Sequence, residues 1–229
     1  LLGRWLARSR GLNPAPFMDL ALVAIMSGIV GARMFFVLSN LDYYRQHPGE
    51  MADFWNGGLV FYGGLILGTV ACLAYGIWRR MPLWLSTDIV LAGVTLAHAF
   101  GRIGCFAAGC CHGNYCPYPW AVRPQSEFVE DPFKGQPVHP VQLYESFSLF
   151  FLAGLMVWLV REKKLRDGAA TILYCLGYGI IRFVMEAFRG DESRGFVLGH
   201  WLSTSQSIAL GLFLLGCGIL VGRFRRKNL

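Results

Sequence analysis

Apolar residues along this chain gather in six runs of about twenty, at roughly 16–38, 58–78, 85–105, 141–160, 168–186 and 201–222. At 1.5 Å per residue, about twenty helical residues cross the roughly 30 Å hydrocarbon core of a bilayer. The pattern predicts an all-α, polytopic membrane protein with six transmembrane helices. No repeat, low-complexity stretch or linker divides the chain, so residues 1–229 are expected to form a single transmembrane domain. Its longest break, 106–140, is rich in Pro and Gly, and long loops of this kind tend to carry function.

Charge adds direction to the pattern. The 229 residues are 55% hydrophobic and 15% charged, where soluble domains carry about 25% charged residues. A net charge of +7 would suit nucleic acid, but the basic residues sit in short clusters between apolar runs, which argues against that partner. Arg4, Arg8, Arg10, Arg79, Arg80, Arg161, Lys163, Lys164, Arg166, Arg223, Arg225, Arg226 and Lys227 all fall on one side if every run crosses. The positive-inside rule makes that side cytoplasmic, with both ends of the chain there. The opposite gaps carry Asp42, Glu50, Asp53, Glu127, Glu130, Asp131, Asp191 and Glu192. The chain opens on Leu1 rather than Met, so a further segment is expected to precede it.

A charge at the bilayer centre costs about 2.5–3.5 kcal/mol on insertion scales, so each one calls for a partner or a purpose. Asp19 and Asp88 lie near the cytoplasmic start of their runs and are expected to be hydrated there and to sit favourably at a helix N-terminus. Arg33, deeper in SGIVGAR, is expected to pair with a carboxylate or to snorkel outward. Arg102, Glu145, Arg182, Glu186 and Arg189 all fall near the outer ends of their runs, and the last three are spaced i, i+4, i+7, as on one helix face. Three guanidinium groups against two carboxylates leave positive charge for an anionic head group, and Arg suits planar, bidentate phosphate recognition.

GGLVFYGG (57–64) and GRIGCFAAGCCHG (101–113) flank Tyr62 and Arg102 on the same face. Glycines there serve either close helix packing or the approach of backbone to a ligand. HPVQLYES (139–146) starts a span with His139, an imidazole that can act as a base, followed one turn later by Tyr144 and Glu145. Cys105, Cys110, Cys111 and Cys116 crowd into twelve residues. Adjacent Cys110 and Cys111 do not make a zinc knuckle, and an oxidising compartment favours a disulfide of Cys116 with Cys110 or Cys111 over a metal, and either over a nucleophile. Cys72, Cys175 and Cys217 read as buried hydrophobes.

Together with ARSRGLNPAPFMDLALVAIMSGIVGAR, RFVMEAFRGD and STSQ, these stretches resemble the prolipoprotein diacylglyceryl transferase family, in order and over nearly the whole chain. The resemblance implies seven transmembrane helices, of which this chain would hold the second to the seventh. It implies a bacterial inner-membrane enzyme, with its active site toward the periplasm, that moves the diacylglyceryl group of phosphatidylglycerol onto the lipobox cysteine thiol in the signal peptide of a preprolipoprotein. No metal or nucleotide cofactor is implied. Arg102 matches the family's signature arginine, Arg182 its second functional arginine, and Gly101, Gly104 and Gly113 its signature glycines; Glu186 and Arg189 lie on the same matched stretch. Tyr62 stands where the family commonly has a histidine, Cys105 where its signature has asparagine and Cys110 where it has glutamate. Either His139 or Tyr62 then assists the thiol, or the chain is a lipid-binding paralogue without turnover or with altered specificity. The expected catalytic set is His139, Tyr62, Arg102, Arg182 and Glu186, with Arg189, Tyr144, Glu145 and the three glycines binding substrate.

Overall fold

In the computed structural model of the chain, all six apolar runs are helices, and each is long and apolar enough to cross a membrane. The structure describes residues 1–55, 57–127, 129, 132–162, 166–190, 196–197 and 202–225. The expected charges Glu130, Asp131, Lys163, Lys164, Asp191, Glu192, Arg226 and Lys227 lie outside the described residues. The elements are α1 (Leu2–Ser9), α2 (Ala15–Ser39), α3 (Leu41–Gln46), α4 (Phe61–Trp78), α5 (Leu83–Ala108), α6 (Val141–Arg161), α7 (Ala169–Ala187) and α8 (Thr204–Arg225). A single 3-10 turn at Pro48–Glu50 and a two-stranded antiparallel ribbon, β1 (Phe196–Val197) with β2 (Leu202–Ser203), complete the described elements. Sequence punctuation sets the helix starts. Pro14, Pro82 and Pro140 stand immediately before or one residue before α2, α5 and α6, where a missing N–H is harmless, and Gly168 precedes α7 at φ +91°. The chain divides into two compact units, Leu1–Ser86 and Thr87–Leu229.

In the first unit α2 and α4 meet through glycines. A Cβ on Gly31 would lie 2.5 Å from the Gly63 carbonyl oxygen, and one on Gly64 would lie 2.8 Å from that of Gly28. The last two glycines of GGLVFYGG therefore serve helix packing, the small-residue contact that brings membrane helices together. Among the described residues Arg33 pairs with no carboxylate, and it does not snorkel. It is buried, and its guanidinium donates to the carbonyls of Glu50 (2.7 Å), Met51 (2.9 Å), Gly57 (3.1 Å) and Gly58 (3.2 Å) and to the Tyr44 hydroxyl (3.1 Å). Phe36 and Tyr44 flank the same group with ring centroids 5.6 and 5.3 Å away. Five donors meeting five acceptors let a cation stay buried while it ties Tyr44, Glu50, Met51, Gly57 and Gly58 to α2. Asp19 accepts a hydrogen bond from the Tyr75 hydroxyl of α4 at 2.5 Å. A cavity of about 500 Å³ in this unit is lined by residues of 12–17 and 78–82 and holds none of the expected site residues.

In the second unit Asp88 is not hydrated as expected; it is only 3% exposed. Its carboxylate accepts from the Gly168 N–H (2.5 Å), the Thr171 N–H (2.7 Å) and the Thr171 hydroxyl (2.6 Å), so it caps the open N–H groups at the start of α7. STSQ also has a local explanation. The Ser203 hydroxyl accepts from the Gln206 N–H (3.1 Å) while the Gln206 side-chain oxygen accepts from the Ser203 N–H (3.0 Å), a reciprocal capping box that starts α8.

Candidate active site

Ten of the eleven expected site residues lie in the second unit; Tyr62 lies in the first, one residue into α4 and 45% exposed. The α5 positions His98, Arg102 and Cys105 recur at i, i+4, i+7, which sets them on one face, and α6 presents Gln142, Glu145, Ser146 and Leu149 as a buried stripe. The two faces are joined by the Ser146 hydroxyl, which donates to the Ala99 carbonyl at 2.9 Å.

Glu145 is the hub of the charged cluster. Only 1% exposed, its Oε2 stands 2.9 Å from Arg102 Nε and 3.5 Å from Arg182 Nη1, and its Oε1 stands 3.8 Å from His98 Nε2. Arg182 Nη2 reaches Glu186 at 3.3 Å and donates to the Ser205 hydroxyl at 2.9 Å. Two buried carboxylates thus hold two guanidinium groups, and no net charge is left over within this set. Arg102 Nη2 is buried without a hydrogen-bond partner among the described residues. An unsatisfied buried donor on a cation is costly, and an anion beside it would satisfy it.

Arg189 departs from the expected helix face. The helix stops at Ala187, so Arg189 lies beyond its last turn; its backbone pairs with Gly113 and its carbonyl accepts from Asn114 Nδ2 at 2.8 Å. Regular helix periodicity therefore relates Arg182 and Glu186 but does not extend to Arg189. Gly113 is required by the approach of His139 instead, because a Cβ there would lie 2.6 Å from the His139 carbonyl oxygen. By contrast, nothing among the described residues lies within 4 Å of a Cβ added at Gly101 or Gly104.

The loop before α6 folds back on itself rather than spreading out. His139 exchanges backbone hydrogen bonds with Gly113 (3.0 Å) and Asn114 (2.9 Å), and Val138 pairs with Val122 in both directions. These bonds carry His139 to the start of α6, where Nδ1 lies 3.2 Å from the Tyr144 hydroxyl and the ring stands 5.6 Å from Phe188 and 6.3 Å from Tyr118, centroid to centroid. His139 and Tyr144 thus share an aromatic cage with Phe188 at the start of α6.

The expected disulfide does not form: all seven cysteines are free. Cys116 is buried with its N–H held by the Pro137 carbonyl at 2.8 Å, while the sulfurs of Cys105, Cys110 and Cys111 gather within 4.8 Å of one another. Burial, with Cys111 and Cys105 beside it, pushes the Cys110 thiol up to about 11, which keeps it protonated and unreactive at neutral pH. His98, Ser205 and Gln142 were not singled out from sequence. His98 could have been, as the residue one helical turn before Arg102 on the same face.

A family model described as prolipoprotein diacylglyceryl transferase matches residues 1–222. The chain belongs to that family. Among its relatives, the phosphatidylglycerol–prolipoprotein diacylglyceryl transferase of Clostridium tetani is 34% identical over 224 residues, covering 96% of this chain and 86% of the relative. The proteins of the same name from Lactobacillus acidophilus and Bacillus velezensis are 35% and 33% identical, covering 99% and 100% of this chain and 82% and 84% of those relatives. Membership in a membrane family accords with the six apolar helices, and the chain is a multi-pass membrane protein.

Proposed function

We propose that this family member transfers the diacylglyceryl group of phosphatidylglycerol to the lipobox cysteine thiol of a preprolipoprotein. The reaction would take place at the periplasmic face of the bacterial inner membrane, with the whole chain acting as one membrane domain. The attacking sulfur forms a bond to the glyceryl carbon that carries the phosphate, the carbon–oxygen bond to phosphate breaks, and glycerol phosphate leaves with that electron pair. The thiol proton passes to the His139 imidazole. In the tautomer in which His139 Nδ1–H donates to the Tyr144 hydroxyl, Nε2 is the nitrogen that takes the proton.

Arg102 and Arg182 meet the phosphate as charge develops on the departing oxygen, and Glu145 and Glu186 keep both guanidinium groups in place. Gly101 and Gly104 leave room beside Arg102 for the head group; Gly113 lets the His139 segment pack directly on its backbone. The observation that carries the reading is the buried, unsatisfied Nη2 of Arg102 beside a hub of paired charges, because a phosphate oxygen is the natural acceptor for it.

The test is turnover. Full-length protein in nanodiscs containing phosphatidylglycerol, given a lipobox peptide, should yield a diacylglyceryl thioether by mass spectrometry together with glycerol phosphate. Arg102→Ala and Arg182→Ala should each lower kcat/KM by about 10²–10³, the scale for removing one donor to a developing anion. Phosphatidylglycerol binding without any thioether product would overturn the transferase reading in favour of a lipid-binding paralogue.

A further inference from the structure

The transferase chemistry does not use the sulfur cluster at the end of α5. Cys105, Cys110 and Cys111 are all half-buried and free, and their three sulfur atoms lie within 4.8 Å of one another. The backbone that brings them together is built for it. Gly109 turns the chain at φ +75°, with its Cβ position 2.5 Å from Ser126, and Cys111 adopts φ +59°, a left-handed conformation that non-glycine residues rarely take and that clusters at functional sites. The turn is further secured by the Cys110 N–H to the Cys105 carbonyl (3.1 Å), by Gln142 Nε2 to the Cys110 carbonyl (2.7 Å) and by the Ser126 hydroxyl to the Ala108 carbonyl (2.8 Å). Adjacent Cys110 and Cys111 could not both reach Cys105 from a regular helix; the left-handed step at Cys111 is what turns the second sulfur inward.

We propose that Cys105, Cys110 and Cys111 form a three-thiolate site for one soft d10 cation of the Zn²⁺ or Cu⁺ class. Metal–sulfur bonds of about 2.3 Å place neighbouring ligand sulfurs about 3.8–4.0 Å apart, so sulfurs already within 4.8 Å need move by about 1 Å or less to close on an ion. Soft thiolates select such ions over hard ones. Three thiols release three protons to solvent as three metal–sulfur bonds form, leaving a centre of net negative charge. Arg102 supplies the countercharge: its Nη1 donates toward Cys105 Sγ at 3.8 Å. An occupied site fixes the 105–111 turn and holds one edge of the Arg102 guanidinium, which gives the ion a means to modulate the neighbouring site.

The probe is Cd²⁺, whose thiolate complexes absorb in the ultraviolet by charge transfer. Full-chain protein in detergent, reduced and freed of metal, should bind one Cd²⁺ per chain with that absorption. A variant with Cys72, Cys116, Cys175 and Cys217 all changed to Ser should bind as the parent does. Cys110→Ser and Cys111→Ser should each weaken binding by at least about tenfold while eluting as monodisperse protein. Cys105→Ser should do the same. Loss of binding in the four-serine variant, unchanged binding in the three single variants, or a disulfide within the trio in protein isolated without reductant would each overturn the proposal.

Discussion

Removing the carboxylate of Glu145 should cost more than any one of its contacts suggests, and the excess is measurable as coupling to Arg102. At an effective dielectric constant near 20, unit charges 2.9 Å apart attract by about 6 kcal/mol and those 3.5 Å apart by about 5 kcal/mol, the separations from Glu145 to Arg102 and to Arg182. Desolvation offsets most of this gross attraction, so the net penalty for breaking such a buried pair is about 3–5 kcal/mol, much of it from stranding the surviving charge. Glu145→Gln and Arg102→Met should therefore each destabilise by about 3–5 kcal/mol. In the double variant neither charge is stranded against the other, and the total should fall short of the sum by about 2–3 kcal/mol. Reversible unfolding in mixed detergent–SDS micelles, followed by loss of helical circular dichroism, gives the three differences. Additivity within about 0.5 kcal/mol would refute the picture of Glu145 as the hub that holds Arg102 in place.

Arg33→Lys offers a point charge and three donors to a cradle built for a planar group, so the segments tied to α2 should loosen, with faster limited proteolysis there and a loss of about 2–3 kcal/mol; a proteolysis rate equal to the parent's would count against the clamp. Gly63→Val should drive α2 and α4 apart at a cost of about 1–3 kcal/mol in the same unfolding assay, while Gly104→Ala, which meets open space, should stay within about 0.5 kcal/mol of the parent. Because the Cys110 thiol is raised to about 11, its thiolate fraction below that pH grows roughly tenfold per pH unit, and peptide-mapped alkylation at Cys110 should accelerate accordingly from pH 7 to 10; a plateau near pH 8.5 would show an ordinary thiol.

The six membrane helices were determined by the sequence alone, because a backbone in hydrocarbon has few alternatives to a helix about twenty apolar residues long, and the observed bounds differ from the apolar runs by only a few residues. Prolines and glycines at the helix starts were legible for the same local reason. The motifs likewise contained the residues of the charged cluster, since charge in an apolar run demands a purpose. Which charge meets which was decided only by the tertiary structure. Ion pairs form between helices far apart in sequence, so nothing local distinguishes Glu145, the hub of two arginines, from Asp88, a cap for α7, or shows that Arg33 would be satisfied by carbonyls. Arg189 left its expected face because the helix ended two residues earlier, and the cysteines gathered as a free trio because a left-handed step at Cys111 turns the chain there. A helix is specified by its own residues; a buried polar group is specified by the partners that the fold brings to it.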